Sequence, residues 1–143
     1  MRRAGSREIM VRLVEIGSVL TVDDQASFRT MVRRLVDATS SLELVGEAAS
    51  GEAAVELVRQ LRPGLVLMDV RMPGLGGIAA TREIKAAQPS TVVLLLSTIH
   101  PDQLLCREEC PADAIVWKSH LRPKLLDDLW REHSRSRPGA AAS

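Results

Sequence analysis

Leu65-Val-Leu-Met-Asp69, followed by Val70-Arg-Met-Pro-Gly74, is the stretch of this 143-residue chain on which the fold turns. Four apolar residues stand in a row with no polar residue between them, so the segment does not read as a strand with one wet face. It reads as a strand covered on both faces, the form that strands take in a parallel sheet with helices above and below. The run stops on a carboxylate, and Pro and Gly follow at once, so the chain turns there and leaves Asp69 at the end of the strand. In an open parallel α/β sheet, ligands bind outside the carboxyl ends of the strands. Asp69 is therefore both a fold marker and a candidate functional residue.

Working outward, apolar runs rich in Val, Leu and Ile place further strands at 16–22, 42–48, 91–97 and 114–118 beside the one at 65–69. The runs within 18–22, 65–68 and 92–96 are nearly continuous in apolar residues and predict the central strands. Between them, 26–38 sets Phe28, Met31, Val32, Leu35 and Val36 at helical spacing, and 51–61 does so with Ala54, Val55, Val58 and Leu61. Ser50 is placed to cap the second helix, and Pro63-Gly64 punctuates the return to a strand. Residues 76–88 give a third helix stopped by Pro89, and 101–110 and 123–133 give a fourth and fifth, each opening on proline. Strands alternating with helices through right-handed crossovers make a doubly wound α/β domain with helices on both faces. The expected strand order is 2-1-3-4-5. Residues 1–15 read as a flexible N-terminal extension in which Met10 is an alternative start, 16–133 as the domain, and 134–143 as a disordered tail.

The hydrophobic fraction of 45% fills one core of this size and leaves no room for a second domain. With 19 basic and 18 acidic residues spread along the chain, no strong field draws it to nucleic acid, and no direct DNA binding is expected. No apolar run approaches the roughly 20 residues of a membrane span, and no targeting segment is read, which places the protein in the cytoplasm. Cys106 and Cys110 then read as reduced thiols, neighbours on one helix face. A metal site completed by His100 or His120, and a redox switch, are the alternatives.

The strand ends carry the chemistry. Strand one ends in Asp23-Asp24, strand three in Asp69, strand four in Ser97-Thr98 and strand five in Lys118, whereas strand two delivers none. Each alone reads as a helix cap or turn residue. Together they set three carboxylates at one sheet edge, where each pair within about 5 Å repels by roughly 3 kcal/mol at an effective dielectric near 20. Such a group takes up protons or binds a cation, and an all-oxygen, shallow site favours Mg2+. A carboxylate flanked by Mg2+ and a lysine is suited to attack phosphorus, with Asp69 the best nucleophile.

These residues resemble the receiver domains of bacterial two-component response regulators, most closely those preceding DNA-binding domains in the nitrate-response type. The resemblance runs from about Val19 to Trp130 through Val22-Asp-Asp-Gln25, Leu65 to Gly77, Val92 to Thr98 and Val116-Trp-Lys-Ser119. It implies the flavodoxin-like fold, from which the strand order 2-1-3-4-5 is taken as much as from the pattern of runs, and a stand-alone phosphorylation switch that catalyses its own phosphorylation and dephosphorylation. By position, Asp69 would be the phosphoacceptor, Asp24 a direct Mg2+ ligand, Asp23 a ligand partly through water, and the Arg71 carbonyl a further ligand. Lys118 would pair with the phosphoryl group, and Ser97 would turn toward it. The implied partners are a sensor histidine kinase or histidine phosphotransfer protein, an unknown downstream protein, and a second copy through the fourth helix, fifth strand and fifth helix.

Three departures from the family pattern stand out. Ile115 occupies the usual Tyr or Phe switch position, Pro111-Ala112 stands where Gly-Ala is usual after a slightly short linking segment, and Trp117 follows Ile115 by two on the same side of the strand. Trp117, with Ile115, Ser97 and Thr98, forms the expected switch set; core packing against the fifth helix is its plainest role, and a substitute recognition surface is the alternative. The alternative function is a pseudo-receiver, a binding module that works without phosphorylation. A dehalogenase-type phosphatase is disfavoured because Arg71 holds the place of its general acid, and a transcription factor because one helix after Lys118 is too little for a helix-turn-helix domain.

Overall fold

A computed structural model describes residues 16–100, 103 and 110–136. Its strands are β1 (Gly17–Val22), β2 (Leu42–Ala48), β3 (Leu65–Asp69), β4 (Val92–Ser97) and β5 (Ala114–Trp117). They form one parallel sheet ordered β2-β1-β3-β4-β5, as the sequence leads one to expect. Four helices are described: α1 (Ala26–Asp37), α2 (Gly51–Leu61), α3 (Gly77–Ala87) and α4 (Pro123–Ser136).

The continuous apolar runs are explained by two cores. Val66 and Met68 of β3, with Val93 and Leu95 of β4, join Ala54, Val55 and Val58 of α2 and Ala80 and Ile84 of α3 on one face. Leu65 and Leu67, with Leu94 and Leu96, join Val32 and Val36 of α1 and Leu126 and Trp130 of α4 on the other. Successive strand residues thus feed opposite cores, and every residue of β3 and β4 is buried. Each fully buried Leu, Ile or Val side chain contributes about 1.5–3 kcal/mol, so this sandwich holds the strand ends rigidly in place.

Local signals act where expected at α2. The Ser50 hydroxyl accepts from the Ala53 N–H at 3.1 Å, and Arg62 takes a left-handed conformation (φ 48°) that closes the helix before Pro63.

Several boundaries move. Met31 and Leu61, expected on core faces, are exposed at 38% and 41%, because each sits at the margin of its helix's apolar stripe. The last helix runs through Ser136 rather than stopping at His133. Once Leu126 and Trp130 anchor it, further turns extend without a new nucleation cost. β5 ends at Trp117, and Lys118–His120 form a short 3-10 turn that carries Lys118 out of the ladder. The expected helix at 101–110, with Cys106, lies outside the described residues except for Gln103 and Cys110, as do 1–15 and 137–143. No helix among the described residues is long and apolar enough to cross a membrane.

Candidate functional site

The parallel register brings the ends of β1, β3 and β5 to one edge of the sheet, and with them Asp23, Asp24, Asp69 and Lys118. Asp23, Asp24 and Asp69 each offer a carboxylate oxygen, and these oxygens lie within 4.8 Å of one another. Asp23 is 1% exposed and Asp69 8%, while Asp24 faces solvent. The Lys118 ammonium lies between the two buried carboxylates, 3.0 Å from Asp69 Oδ1 and 3.1 Å from Asp23 Oδ2. Burial pushes the Asp69 carboxyl above the usual carboxylate range. The charges of Asp23 and Asp24 push the same way, and the hydrogen bond and charge of Lys118 oppose them.

With all three carboxylates ionised, the cluster would carry two negative charges beyond the one ammonium, which a divalent cation would cancel. The donor set is all oxygen, with one open side at Asp24. These residues fit a hard cation of the Mg2+ kind.

The turn after β3 is fixed tightly. Val70 N–H donates to the Leu96 carbonyl at 3.0 Å, and Gly77 N–H to the Val70 carbonyl at 3.0 Å. A Cβ on Gly77 would stand 2.2 Å from the Asp69 main-chain oxygen, so only glycine lets α3 start this close to Asp69. Glu52 of α2 accepts from the Leu75 N–H at 3.1 Å and ties down the far side of the loop. Arg71 lies on this loop with its side chain exposed, and Met72 beside it is buried.

The expected switch residues are distributed differently from the carboxylates. Ser97 is buried, and its hydroxyl donates to the Ile99 carbonyl at 2.8 Å while accepting from the Ile99 N–H at 3.1 Å. It is engaged with its own loop. Thr98 is exposed, and Ile115 packs against the core beneath α2 and α3. Trp117 does not take the core role expected for it. Its indole N–H donates to the Thr98 carbonyl at 3.2 Å, and its ring rests against His100 and His120, with centroids 5.1 and 4.9 Å away. The buried tryptophan is Trp130 of α4 itself, which is 1% exposed and joins the core of Val32, Val36 and Leu42.

Three residues near the site escaped the sequence reading. Arg29 donates to the Asp23 main-chain carbonyl at 2.6 Å, and its Nε meets Glu47 Oε1 at 3.3 Å. Glu47, which also pairs with Arg33, comes from β2, so the one strand expected to contribute nothing supports the site through Arg29. Phe28, read only as core, holds its ring 3.8 Å from the Lys118 ammonium. A basic residue one position after an apolar one on α1 was the only local signal, and it is too common to single out.

The response regulator receiver domain family matches residues 19–128. Response regulator GacA of Pseudomonas aeruginosa is 42% identical over 84 residues, covering 59% of this chain and 39% of that protein. Protein-glutamate methylesterase/protein-glutamine glutaminase 1 of Vibrio vulnificus (strain YJ016) is 33% identical over 118 residues, covering 82% of this chain and 30% of that protein. The chain thus spans less than half the length of either relative. Among solved structures, a two-component response regulator of the LuxR family from Aurantimonas sp. SI85-9A1 superposes with a TM-score of 0.75 at 29% identity, covering 90% of this chain and 94% of that one. With sheet order, acidic cluster and family match in agreement, the chain belongs to the response regulator receiver domains of two-component systems.

Proposed function

We propose that the protein is a cytoplasmic phosphorylation switch that accepts a phosphoryl group on Asp69 from a histidine kinase or histidine phosphotransfer protein, in a Mg2+-dependent reaction. The observation that carries this reading is the Lys118 ammonium held 3.0 Å from Asp69 Oδ1 at the open edge of an acidic cluster. A lysine serving only to balance buried charge would have no need of the solvent-facing third carboxylate, Asp24.

The carboxylates of Asp23, Asp24 and Asp69, with the Arg71 carbonyl, would hold the ion. Bound there, Mg2+ supplies a Lewis acid for the phosphoryl oxygens. An Asp69 carboxylate oxygen attacks phosphorus, the phosphorus–nitrogen bond of the donor phosphohistidine breaks, and its electron pair leaves with the imidazole, which takes up a proton. Lys118 neutralises charge on the transferring oxygens from its place beside Asp69. The product is an aspartyl phosphate. Ser97 would then leave Ile99 and donate to the new phosphoryl oxygens, biasing a conformational equilibrium of the loop after β4. Output passes to another protein, or to a second copy of the chain, through the face that includes β5, α4 and Trp117.

Purified protein incubated with phosphoramidate and Mg2+ should gain one phosphoryl mass on Asp69, and Asp69→Asn should gain none. Undiminished Mg2+-dependent labelling of Asp69→Asn by mass spectrometry would move the acceptor elsewhere. No labelling of the wild type by any donor would favour the phosphorylation-independent binding module.

A further inference from the structure

The first turn of α1 grips both members of the ion pair at the centre of the site. Arg29 holds Asp23 by its main-chain carbonyl at 2.6 Å, and its neighbour Phe28 lays its ring 3.8 Å from Lys118 Nζ. We propose that Phe28 is a positioning residue for phosphoryl transfer: its ring holds the Lys118 ammonium against Asp69 and keeps water from the ammonium's third side. The proposal rests on Asp69 being the phosphoryl acceptor.

An ammonium has three donors on a flexible four-carbon stem. Two directions of Lys118 are taken by Asp23 Oδ2 at 3.1 Å and Asp69 Oδ1 at 3.0 Å. The remaining approach is covered by the Phe28 ring, and the Lys118 side chain is only 13% exposed. A ring face attracts a cation through its quadrupole and offers no oxygen to compete with the reacting group. Water in that place would solvate the ammonium and weaken its hold on Asp69 and on an incoming phosphoryl oxygen. Phe28 itself is fixed. Its N–H donates to the Gln25 carbonyl at 3.1 Å in the first turn of α1, and its side chain packs against the core that includes Val32 and Leu126. The lysine is therefore oriented before any phosphoryl donor arrives, as rate enhancement by fixed charges requires.

If Phe28 did no more than fill space, leucine would serve as well. Initial rates of Asp69 phosphorylation should therefore be measured across phosphoramidate concentrations at saturating Mg2+ for the full chain and for Phe28→Leu and Phe28→Tyr. Thermal denaturation of each variant checks that it is folded. Phe28→Leu should lower the limiting rate about fivefold, and Phe28→Tyr, which keeps the ring, should stay within about twofold of wild type. Phe28→pentafluorophenylalanine keeps the shape and reverses the quadrupole, so it should slow the reaction like Phe28→Leu even if the latter folds poorly. A wild-type rate in Phe28→Leu or in the fluorinated protein, or a Phe28→Tyr rate as low as that of Phe28→Leu, overturns the proposal. The Lys118 ε-methylene proton shift, read by NMR without any phosphoryl donor, should be displaced upfield by the ring in wild type and return in Phe28→Leu. If that displacement is present and the wild type takes no phosphoryl group, the acceptor reading fails and the placement of Lys118 stands. If the displacement is missing, the placement fails whatever the protein accepts.

Discussion

The two ends of the sheet are built on opposite electrostatic terms. At the amino end, the polar side chains that join neighbouring elements have matched partners. Lys85 donates to Asp113 Oδ2 at 2.8 Å and to the Thr91 carbonyl at 2.9 Å, and Asp113 Oδ2 also accepts from the Val93 N–H at 2.8 Å. The Ser18 hydroxyl accepts from the Gly64 N–H at 2.9 Å, Thr91 donates to the Pro63 carbonyl at 3.0 Å, and buried Ser41 donates to Asp127 on α4. At the carboxyl end, the Lys118 ammonium pairs with Asp23 and Asp69, and the Asp24 carboxylate stands in the same cluster without a share of it. Matched groups stabilise the fold because an orphaned buried polar atom costs more than its bond contributes. Excess charge does the reverse, and it persists where a ligand completes the set. The contrast agrees with structure at one end and the proposed chemistry at the other, and substitutions of opposite sign should expose it.

The largest loss is expected at the amino end from Asp113→Ala. It removes an acceptor from Lys85 and the side-chain acceptor of the Val93 N–H, just where β5 joins β4. A decrease of about 2 kcal/mol in unfolding free energy is expected from urea denaturation, with Asp113→Asn recovering part of it. A change below about 0.5 kcal/mol would mean that the amino end is not held by its polar matches.

At the carboxyl end the same kind of substitution should have the opposite sign. Burial raises the Asp69 pKa, so the folded state favours the protonated form, and the stability this gives is lost as pH rises from the ordinary value of 3.8 through the folded value. Relative to the protonated form, the ionised carboxylate opposes folding. Asp69→Asn should therefore gain about 1 kcal/mol at pH 7 without Mg2+. The gain should fade in acid, where wild-type Asp69 is protonated, and shrink when Mg2+ is added, because the ion stabilises wild type more than the variant. A loss of stability at pH 7 would show that the Lys118 pairing outweighs burial.

What could be read from the chain follows the range over which its physics acts. The runs Leu65–Met68 and Val92–Leu96 declared themselves because a strand covered on both faces has no place for a polar residue. Asp23, Asp24, Asp69 and Lys118 could be gathered because a parallel sheet puts all strand ends on one edge, even for a pair 95 residues apart such as Asp23 and Lys118. Arg29, Glu47 and Phe28 could not, because their roles depend on how α1 lies over β1 and on which way each side chain points. Spacing within a helix does not fix that. Trp117 shows the same limit: its place two residues after Ile115 suggests packing against the last helix, but β5 ends at Trp117 and its ring lies against His100 and His120.

The smallest effect tests whether matching at the amino end includes charge as well as hydrogen bonding. Asp127 on α4 accepts from the Ser41 hydroxyl and pairs with Arg131 at 3.0 Å, and the Ser41 bond, more than the Arg131 charge, holds its carboxyl below the usual range. A depressed folded pKa gives stability that is present above the unfolded value of 3.8 and is lost as pH falls through the folded value. Asp127 is 30% exposed, so solvent screens much of this. Asp127→Asn keeps an acceptor oxygen for Ser41 and removes only the charge. It should cost about 0.5 kcal/mol at pH 7 and less at about pH 2, because the wild-type carboxyl takes up its proton as pH falls through the folded value. Urea titrations of wild type and Asp127→Asn at the two pH values give the difference directly. An equal cost at both would place the contribution in hydrogen-bond geometry alone. The amino end would then be matched by shape and donor count, and net charge would distinguish the two ends only because the carboxyl end carries an excess of it.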